Sequence, residues 1–177
     1  ELIAFDSGPG MCLLDDYVEH NSNRKYDEGG KYSSRGKINN KILKKVMRDK
    51  YFKLEYPKSI DRNYFSLINF TNLDFCDACA TISMFTVKSI ISGINKINKK
   101  YESIYIMGGG SKNLFIQKEL SKITQKDVKS INIKGLKDIY VESQAFAYLA
   151  ARSITDLPIS YPKTTGVKKP ATGGKNF

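Results

Sequence analysis

Cysteine and histidine are scarce in this sequence, and their scarcity argues against a metal centre. The 177 residues contain three cysteines and one histidine. Cys76 and Cys79 form a lone Cys-x-x-Cys, whereas a structural zinc ion needs four ligands. Cys12 and His20 are distant from that pair in sequence. The pair also lies inside a long helical pattern, whereas a redox Cys-x-x-Cys opens a helix that follows a strand. We therefore predict no metal ligands and free thiols.

Long apolar runs and targeting segments are also missing. No apolar run approaches the roughly 20 residues that cross a membrane. No basic segment followed by an apolar one is found at the start, so no secretory signal is visible. With 41% hydrophobic and 27% charged residues, the composition is that of a globular protein, and we expect a cytoplasmic protein with no membrane partner. The first residues form an apolar strand pattern without a methionine, which predicts a chain that begins inside a larger fold.

Acidic residues are outnumbered by basic ones, which raises the possibility of a nucleic-acid partner. The formal net charge is +11. The lysines alternate with asparagine and isoleucine, as in KINNKILKKVMRDK, and no aromatic residues are interleaved with them at a regular spacing. This pattern is typical of solvent-facing helix surfaces, so we expect no nucleic-acid partner, and a basic nucleic-acid-binding domain is the least favoured alternative.

The spacing of apolar residues predicts strands that alternate with helices. Strands are predicted near residues 2–6, 103–107 and 130–133, and helices at about 11–21, 37–51, 74–97, 113–124 and 139–154. Residues 22–36 are polar and rich in glycine, which predicts a loop. The alternation in the second half predicts an α/β fold, with one domain over 1–157 and a loop-like tail at 158–177 that belongs to the same domain.

The first candidate site is the turn that follows the predicted strand 2–6. The carboxylate of Asp6 lies where this strand leaves the core, and Gly8, Pro9 and Gly10 then turn the chain into a helix. Such a turn exposes free N–H groups at a helix start, which favours an anionic or polyhydroxylated ligand. A strand, a turn and an N-capping Asp or Ser explain the same pattern without a ligand.

The second candidate site is a run of three glycines. Gly108, Gly109 and Gly110 follow an apolar strand and precede a helix, at the strand end where α/β sheets bind ligands. The run matches neither the dinucleotide fingerprint nor a P-loop. A nucleotide site and a tight turn without a ligand both remain open at this point.

Taken together, the motifs resemble the carboxyl-terminal half of the anhydro-N-acetylmuramic acid kinase family. In chain order they are AFDSGPGMCLLD, GKINNKILKKVMRDKYF, YPKSIDRNYF, ACATISMFTVKSI, IYIMGGGSKN, VESQAFAYLAAR and TTGVKKPATGG. The resemblance covers about residues 2–174. It implies a partial ribonuclease-H-like domain of the actin and hexokinase superfamily that lacks its first strands. It also implies ATP- and Mg²⁺-dependent opening of the anhydro ring with phosphorylation of O6, in murein recycling.

The resemblance gives the first turn a role in binding and activating the sugar substrate. It implies that Asp6 is the general base, which takes a proton from the water that attacks the anomeric carbon. The implied sugar-binding residues are Gly8, Pro9, Gly10 and Lys58. Without the resemblance, Lys58 would be interpreted as an ordinary loop lysine.

The resemblance gives the glycine run a role in nucleotide binding. Gly108, Gly109 and Gly110, with Asn113, would cradle the adenosine end of ATP. Glu142 matches the family's helix glutamate that faces the cleft. Taken alone, Glu142 would be interpreted as a solvent-facing residue of its helix.

The sequence departs from the family pattern at two places and lacks one part of it. Met11 stands where the family usually has Asn, and Ile60-Asp61-Arg62-Asn63 stands where it usually has Thr-Gly-Arg-Glu. The family's phosphate loop and most Mg²⁺ ligands belong to an amino-terminal part that these residues do not contain. We therefore expect a fragment that is inactive alone.

The missing part leaves two explanations of the fragment open. It is either one half of a split enzyme, completed by a separate amino-terminal chain, or the product of a decaying gene. The family is often homodimeric. A non-enzymatic remnant or interaction module is the alternative function.

Overall fold

The computed structural model describes residues 1–70, 72–134, 137 and 140–174. In chain order its helices and strands are α1 (Cys12–Asn21), α2 (Asn40–Val46), α3 (Phe75–Ile97), β1 (Ser103–Ile106), α4 (Leu114–Thr124), β2 (Asp127–Ser130), α5 (Val141–Ile154) and α6 (Pro162–Thr165). Short 3₁₀ turns lie at Glu28–Gly30, Lys50–Lys53, Gly108–Lys112 and Ile131–Lys134. The predicted α/β class is confirmed.

The core is built around α3, the longest helix. It packs against α1, α2 and α4, and its middle is buried on every side. The ring of Phe85 lies at the centre, with its centroid 5.8 Å from that of Phe52 and 5.0 Å from that of Phe65. By length and composition α3 could cross a membrane, but most of it is buried inside the molecule, as in the core helix of a globular fold.

The sheet consists of two parallel strands joined by a helix. Strand β1 pairs with β2 from Ser103 opposite Asp127 to Ile106 opposite Ser130, and α4 forms the crossover between them. The first of these strands matches the prediction for 103–107. The second prediction, 130–133, is displaced: the strand ends at Ser130, and a 3₁₀ turn follows it at Ile131–Lys134.

The predicted strand at 2–6 is wrong. The amide of Ala4 donates to the carbonyl of Lys163 at 3.1 Å, and the amide of Asp6 donates to the carbonyl of Lys58 at 3.0 Å. These bonds reach two separate segments and form no ladder with either. Leu2 is 62% exposed, so the apolar pattern does not correspond to a buried strand. A strand needs a neighbour, and none of the described residues pairs with 2–6 as one.

The helix predicted at 37–51 is shorter in the structure than its apolar pattern indicates. Asn39 caps α2, because its Oδ1 accepts the amides of Lys41 at 3.1 Å and Ile42 at 3.0 Å. The helix ends at Val46, and a separate 3₁₀ turn follows at Lys50–Lys53. The helices predicted at 11–21, 74–97, 113–124 and 139–154 are confirmed within one or two residues at each described end.

The part of the chain after β2 is the most exposed. Helix α5 has no buried residue, and Phe146 and Ile154 are 72% and 66% exposed. The tail contains the single helical turn α6 and an isolated bridge between Ser160 and Ala171. The guanidinium of Arg152 links α5 to the tail, because its Nε donates to the carbonyl of Pro158 at 2.7 Å.

Candidate active site

The carboxylate of Asp6 is exposed but held in place. The amide of Ile60 donates to its Oδ2 at 2.9 Å. The hydroxyl of Tyr51 donates to the backbone carbonyl of Asp6 at 2.7 Å, and the Asp6 amide donates to the Lys58 carbonyl at 3.0 Å. The other carboxylate oxygen, Oδ1, has no hydrogen-bond partner within the described residues. The arrangement fixes the residue while leaving one oxygen accessible, as a general base requires.

Tyr51 and Lys58 hydrogen-bond to the backbone of Asp6 and contact each other. The ammonium of Lys58 donates to the Tyr51 carbonyl at 3.0 Å and lies 4.1 Å from the centroid of the Tyr51 ring. Burial lowers the pKa of Lys58, the charge of Lys96 adds to that effect, and Glu55 opposes it. Burial, with the nearby Asp6 charge, raises the pKa of Tyr51 to about 12, so its hydroxyl stays protonated and keeps donating.

The glycine turn after Asp6 packs closely against α3. A Cβ at Gly8 would collide with the side chain of Ser89, so only glycine fits there. The hydroxyl of Thr86 donates to the carbonyl of Gly10 at 2.7 Å. Helix α1 begins after Met11, and no side chain caps it, which departs from the N-capping Asp or Ser of the ligand-free interpretation. A helix start without a side-chain cap is a place where an anionic or polyhydroxylated group can bind.

The second glycine run forms the 3₁₀ turn at the carboxyl end of β1. Gly108 has φ +67°, a left-handed conformation that glycine adopts readily. Asn113 follows the turn and is only 2% exposed, and its Oδ1 accepts the amide of Ile116 at 3.1 Å, which caps α4. The run and Asn113 thus form one strand–turn–helix unit.

The structure brings the two glycine turns together at Met11. A Cβ built on Gly109 would lie 4.0 Å from the Met11 Cγ, and one built on Gly110 would lie 3.8 Å from it. Beside this contact is a pocket of about 410 Å³, bounded by α1, the 26–29 loop and the turn before α4. Of the two candidate sites in the sequence, the pocket takes Gly109 and Asn113 from the second and none of residues 6–10 from the first.

Sequence reasoning missed two parts of this pocket. The 26–29 loop folds around the buried carboxylate of Asp27, which accepts the amides of Tyr32 at 2.7 Å and Ser33 at 3.0 Å. Asp15 of α1 lines the pocket. Burial, together with the neighbouring carboxylate of Asp16, raises the pKa of Asp15 to about 6. The paired glycines in the YDEGG segment were the only signal in the sequence, and they had been assigned to a loop.

The structure does not bring Glu142 to the pocket. Glu142 is exposed in the first turn of α5 and is not among the residues that line the pocket. The residues described by the structure also contain no group of three or more His, Cys, Asp or Glu side chains placed to hold a metal ion. They therefore do not form a magnesium site by themselves.

Comparison with known proteins identifies relatives along the whole chain. The family model for anhydro-N-acetylmuramic acid kinase matches residues 1–177. The kinase of that name from Phenylobacterium zucineum is 38% identical over 175 residues, which are 99% of this chain and 47% of the relative. Those from Zymomonas mobilis and Caulobacter vibrioides are 36% and 35% identical, over 99% of this chain and 48% and 47% of their own lengths. The chain spans about half the length of these curated relatives and matches their carboxyl-terminal half.

Proposed function

The chain belongs to the anhydro-N-acetylmuramic acid kinase family, and from this premise we propose that it is the carboxyl-terminal half of an ATP-dependent sugar kinase. Its reaction opens the ring of anhydro-N-acetylmuramic acid and phosphorylates O6, in the recycling of murein in the cytoplasm. The observation that carries the proposal is Asp6, an accessible carboxylate fixed beside a glycine turn in a chain that matches the family throughout.

Asp6 acts as the general base of this reaction. Water attacks the anomeric carbon and gives a proton to the Asp6 carboxylate, and the bond between that carbon and O6 breaks. The freed O6 attacks the γ-phosphoryl group of ATP, and ADP leaves. The products are the O6-phosphorylated sugar with a hydroxyl at the anomeric carbon, ADP, and a proton first held by Asp6. The bond from the Ile60 amide holds the carboxylate in position for this transfer.

The sugar lies against the first turn. The residues proposed to contact it are Gly8, Pro9, Gly10 and Lys58. The uncapped start of α1 supports this placement, because the positive end of a helix favours a polyhydroxylated or anionic group. Met11 and the Ile60–Asp61 segment lie at this turn and next to Asp6, where their departures from the family pattern would alter sugar affinity.

The adenosine end of ATP lies against the second turn. Its proposed contacts are Gly108, Gly109, Gly110 and Asn113, and the position of this turn at the carboxyl end of β1 supports them. Glu142, exposed in the first turn of α5, is a further proposed contact of ATP that rests on the family resemblance. Magnesium ligands belong mostly to that other half, so no step proposed here runs through the metal.

In this proposal the amino-terminal half of the kinase completes the fold of the chain as well as its active site. We assign the parallel β1–α4–β2 unit to a ribonuclease-H-like domain that extends over residues 1–157 with its tail at 158–177. The exposed apolar side chains of α5 support a covering partner, because monomeric domains rarely leave several such residues together. The partner is an amino-terminal kinase half, and the chain alone is inactive.

The test uses a chimera of full kinase length. Residues 1–177 replace the matching 47% of the Phenylobacterium zucineum relative, and ATP-dependent phosphorylation of the anhydro sugar is measured. Asp6→Asn keeps an oxygen for the Ile60 amide but cannot take the proton, so kcat falls by about 10²–10⁴-fold. Glu19→Gln removes an exposed charge on α1 and leaves kcat unchanged. Turnover that survives Asp6→Asn would show that Asp6 is not the base.

A further inference from the structure

Two buried polar atoms next to the pocket have no hydrogen-bond partner within the described residues. They are Oδ1 of Asp15 and Nδ2 of Asn113, and both side chains line the pocket between the two glycine turns. Buried polar atoms are almost always paired, so an unpaired one points to a missing partner. Here the pair is complementary: the carboxylate oxygen accepts a hydrogen bond, and the amide nitrogen donates one.

The orientation of the Asn113 amide is fixed by its role in the fold. Its Oδ1 accepts the amide of Ile116 as the cap of α4, which leaves Nδ2 as the end without a partner. A ligand that pairs with both atoms must therefore present a donor to Asp15 and an acceptor to Asn113.

The walls of the pocket fit a flat ring. The Tyr26 side chain is 56% exposed and lines the pocket together with the flexible thioether of Met11. Gly29 and Gly109 line the pocket without side chains, a Cβ built on Gly29 would meet open space, and the charged residues Asp27, Glu28 and Lys112 complete the lining. A volume of about 410 Å³ is ample for a purine.

Resting on the proposed function, we propose that Asp15 and Asn113 recognise the edge of the adenine ring and select ATP over GTP. The exocyclic amino group of adenine donates to Oδ1 of Asp15, and the adjacent ring nitrogen accepts from Nδ2 of Asn113. Guanine has a carbonyl oxygen in place of that amino group, and this oxygen would face the carboxylate without a proton between them. The neighbouring α1 carboxylate, Asp16, pairs with Arg62 at 2.6 Å and is not part of the pocket.

The test measures nucleoside binding to the 177-residue chain, because every wall of the pocket belongs to it. Adenosine and guanosine are titrated by calorimetry at about pH 8, where Asp15 is ionised. We expect adenosine to bind more tightly than guanosine. Asp15→Ala removes the acceptor and weakens adenosine binding at least about tenfold. Asn113→Asp keeps the α4 cap but replaces the donor with an acceptor, and it has a similar effect.

Asp16→Ala is the matched control, because it removes a carboxylate from the same helix outside the pocket, and it leaves adenosine affinity unchanged. Circular dichroism establishes that each variant is folded. Equal adenosine affinity in wild type and Asp15→Ala overturns the inference, and so does equal or tighter binding of guanosine to the wild type. Absence of adenosine binding to the wild type also overturns it. None of these results decides the kinase proposal, which is judged by sugar phosphorylation in the chimera.

Discussion

Two aspartates near the amino terminus differ in how far the sequence could identify them. Asp6 was identifiable, because it lies in the FDSGPG segment that carries the family resemblance. Asp15 was not, because its environment is made by Asp27 and the turn before α4, which approach it only in the folded chain. The role proposed for Asp6 comes from a local motif, whereas the raised pKa of Asp15 follows from long-range packing.

Replacement of Asp15 by Asn should stabilise the protein in a pH-dependent manner. Burial and the carboxylates of Asp16 and Asp27 raise the pKa of Asp15 from 3.8 to about 6, and Arg62 opposes them. The pKa of Asp15 is raised in the folded state. Its carboxyl group therefore makes its full contribution to the free energy of unfolding below about pH 4, and this contribution is lost as the pH rises through about 6. Asp15→Asn cannot ionise, so we expect it to be more stable than the wild type at about pH 8. The side chain is only half-buried, and with solvent screening the gain is about 1 kcal/mol.

Urea unfolding at about pH 8, 6 and 4 checks this prediction. The advantage of Asp15→Asn should shrink as the pH falls, since the wild-type carboxyl becomes protonated too. Glu19→Gln is the control, because that carboxylate is exposed on the same helix, does not act on Asp15, and its loss brings no such gain. An advantage of the same size at every pH would contradict the account.

At the scale of elements, helices were predicted better than strands. The long apolar periods of α3 and α4 identify these helices by themselves, since most of a helix's hydrogen bonds are internal. Residues 2–6 have a strand-like pattern, but a strand depends on a neighbour that the local sequence does not contain. The start of α2 depends on distant residues in the same way, because the Lys37 amide donates to Asp77 of α3 at 2.7 Å.

Thr81 of α3 offers a test of how α2 is positioned. Its buried hydroxyl accepts the amide of Asn39 at 2.9 Å and donates to the carbonyl of Asp77 at 2.7 Å. Thr81→Val keeps the shape of the side chain but leaves the Asn39 amide unpaired in a partly buried place. We expect unfolding free energy to fall by about 1–3 kcal/mol.

Thr124→Val in α4 is the matched control for this change. The Thr124 hydroxyl donates only to the carbonyl of Leu120 in its own helix, at 2.7 Å. Its replacement should change the unfolding free energy by less than about 0.5 kcal/mol. Urea unfolding followed by circular dichroism compares the two variants, and equal losses would show that the bond to Asn39 does not hold α2 in place.

At the scale of the whole molecule, the described residues form a packed helical core with an exposed extension. The core is formed around α3, whereas α5 has no buried residue and the sheet has two strands within the described part of the chain. The family and both glycine turns could be predicted from sequence motifs. The pocket between the turns could not, because residues as far apart as Met11, Tyr26 and Asn113 form it.

We propose that this chain supplies the base and the adenosine site of a kinase, and that the other half of the kinase completes it. The most direct measurement mixes the purified 177-residue chain with a separately produced protein that holds the remaining part of the Phenylobacterium zucineum relative, and follows ATP-dependent phosphorylation of anhydro-N-acetylmuramic acid. We expect no phosphorylation by either protein alone and phosphorylation by the mixture, lost with Asp6→Asn. Phosphorylation of the sugar by the 177-residue chain without its partner would contradict it.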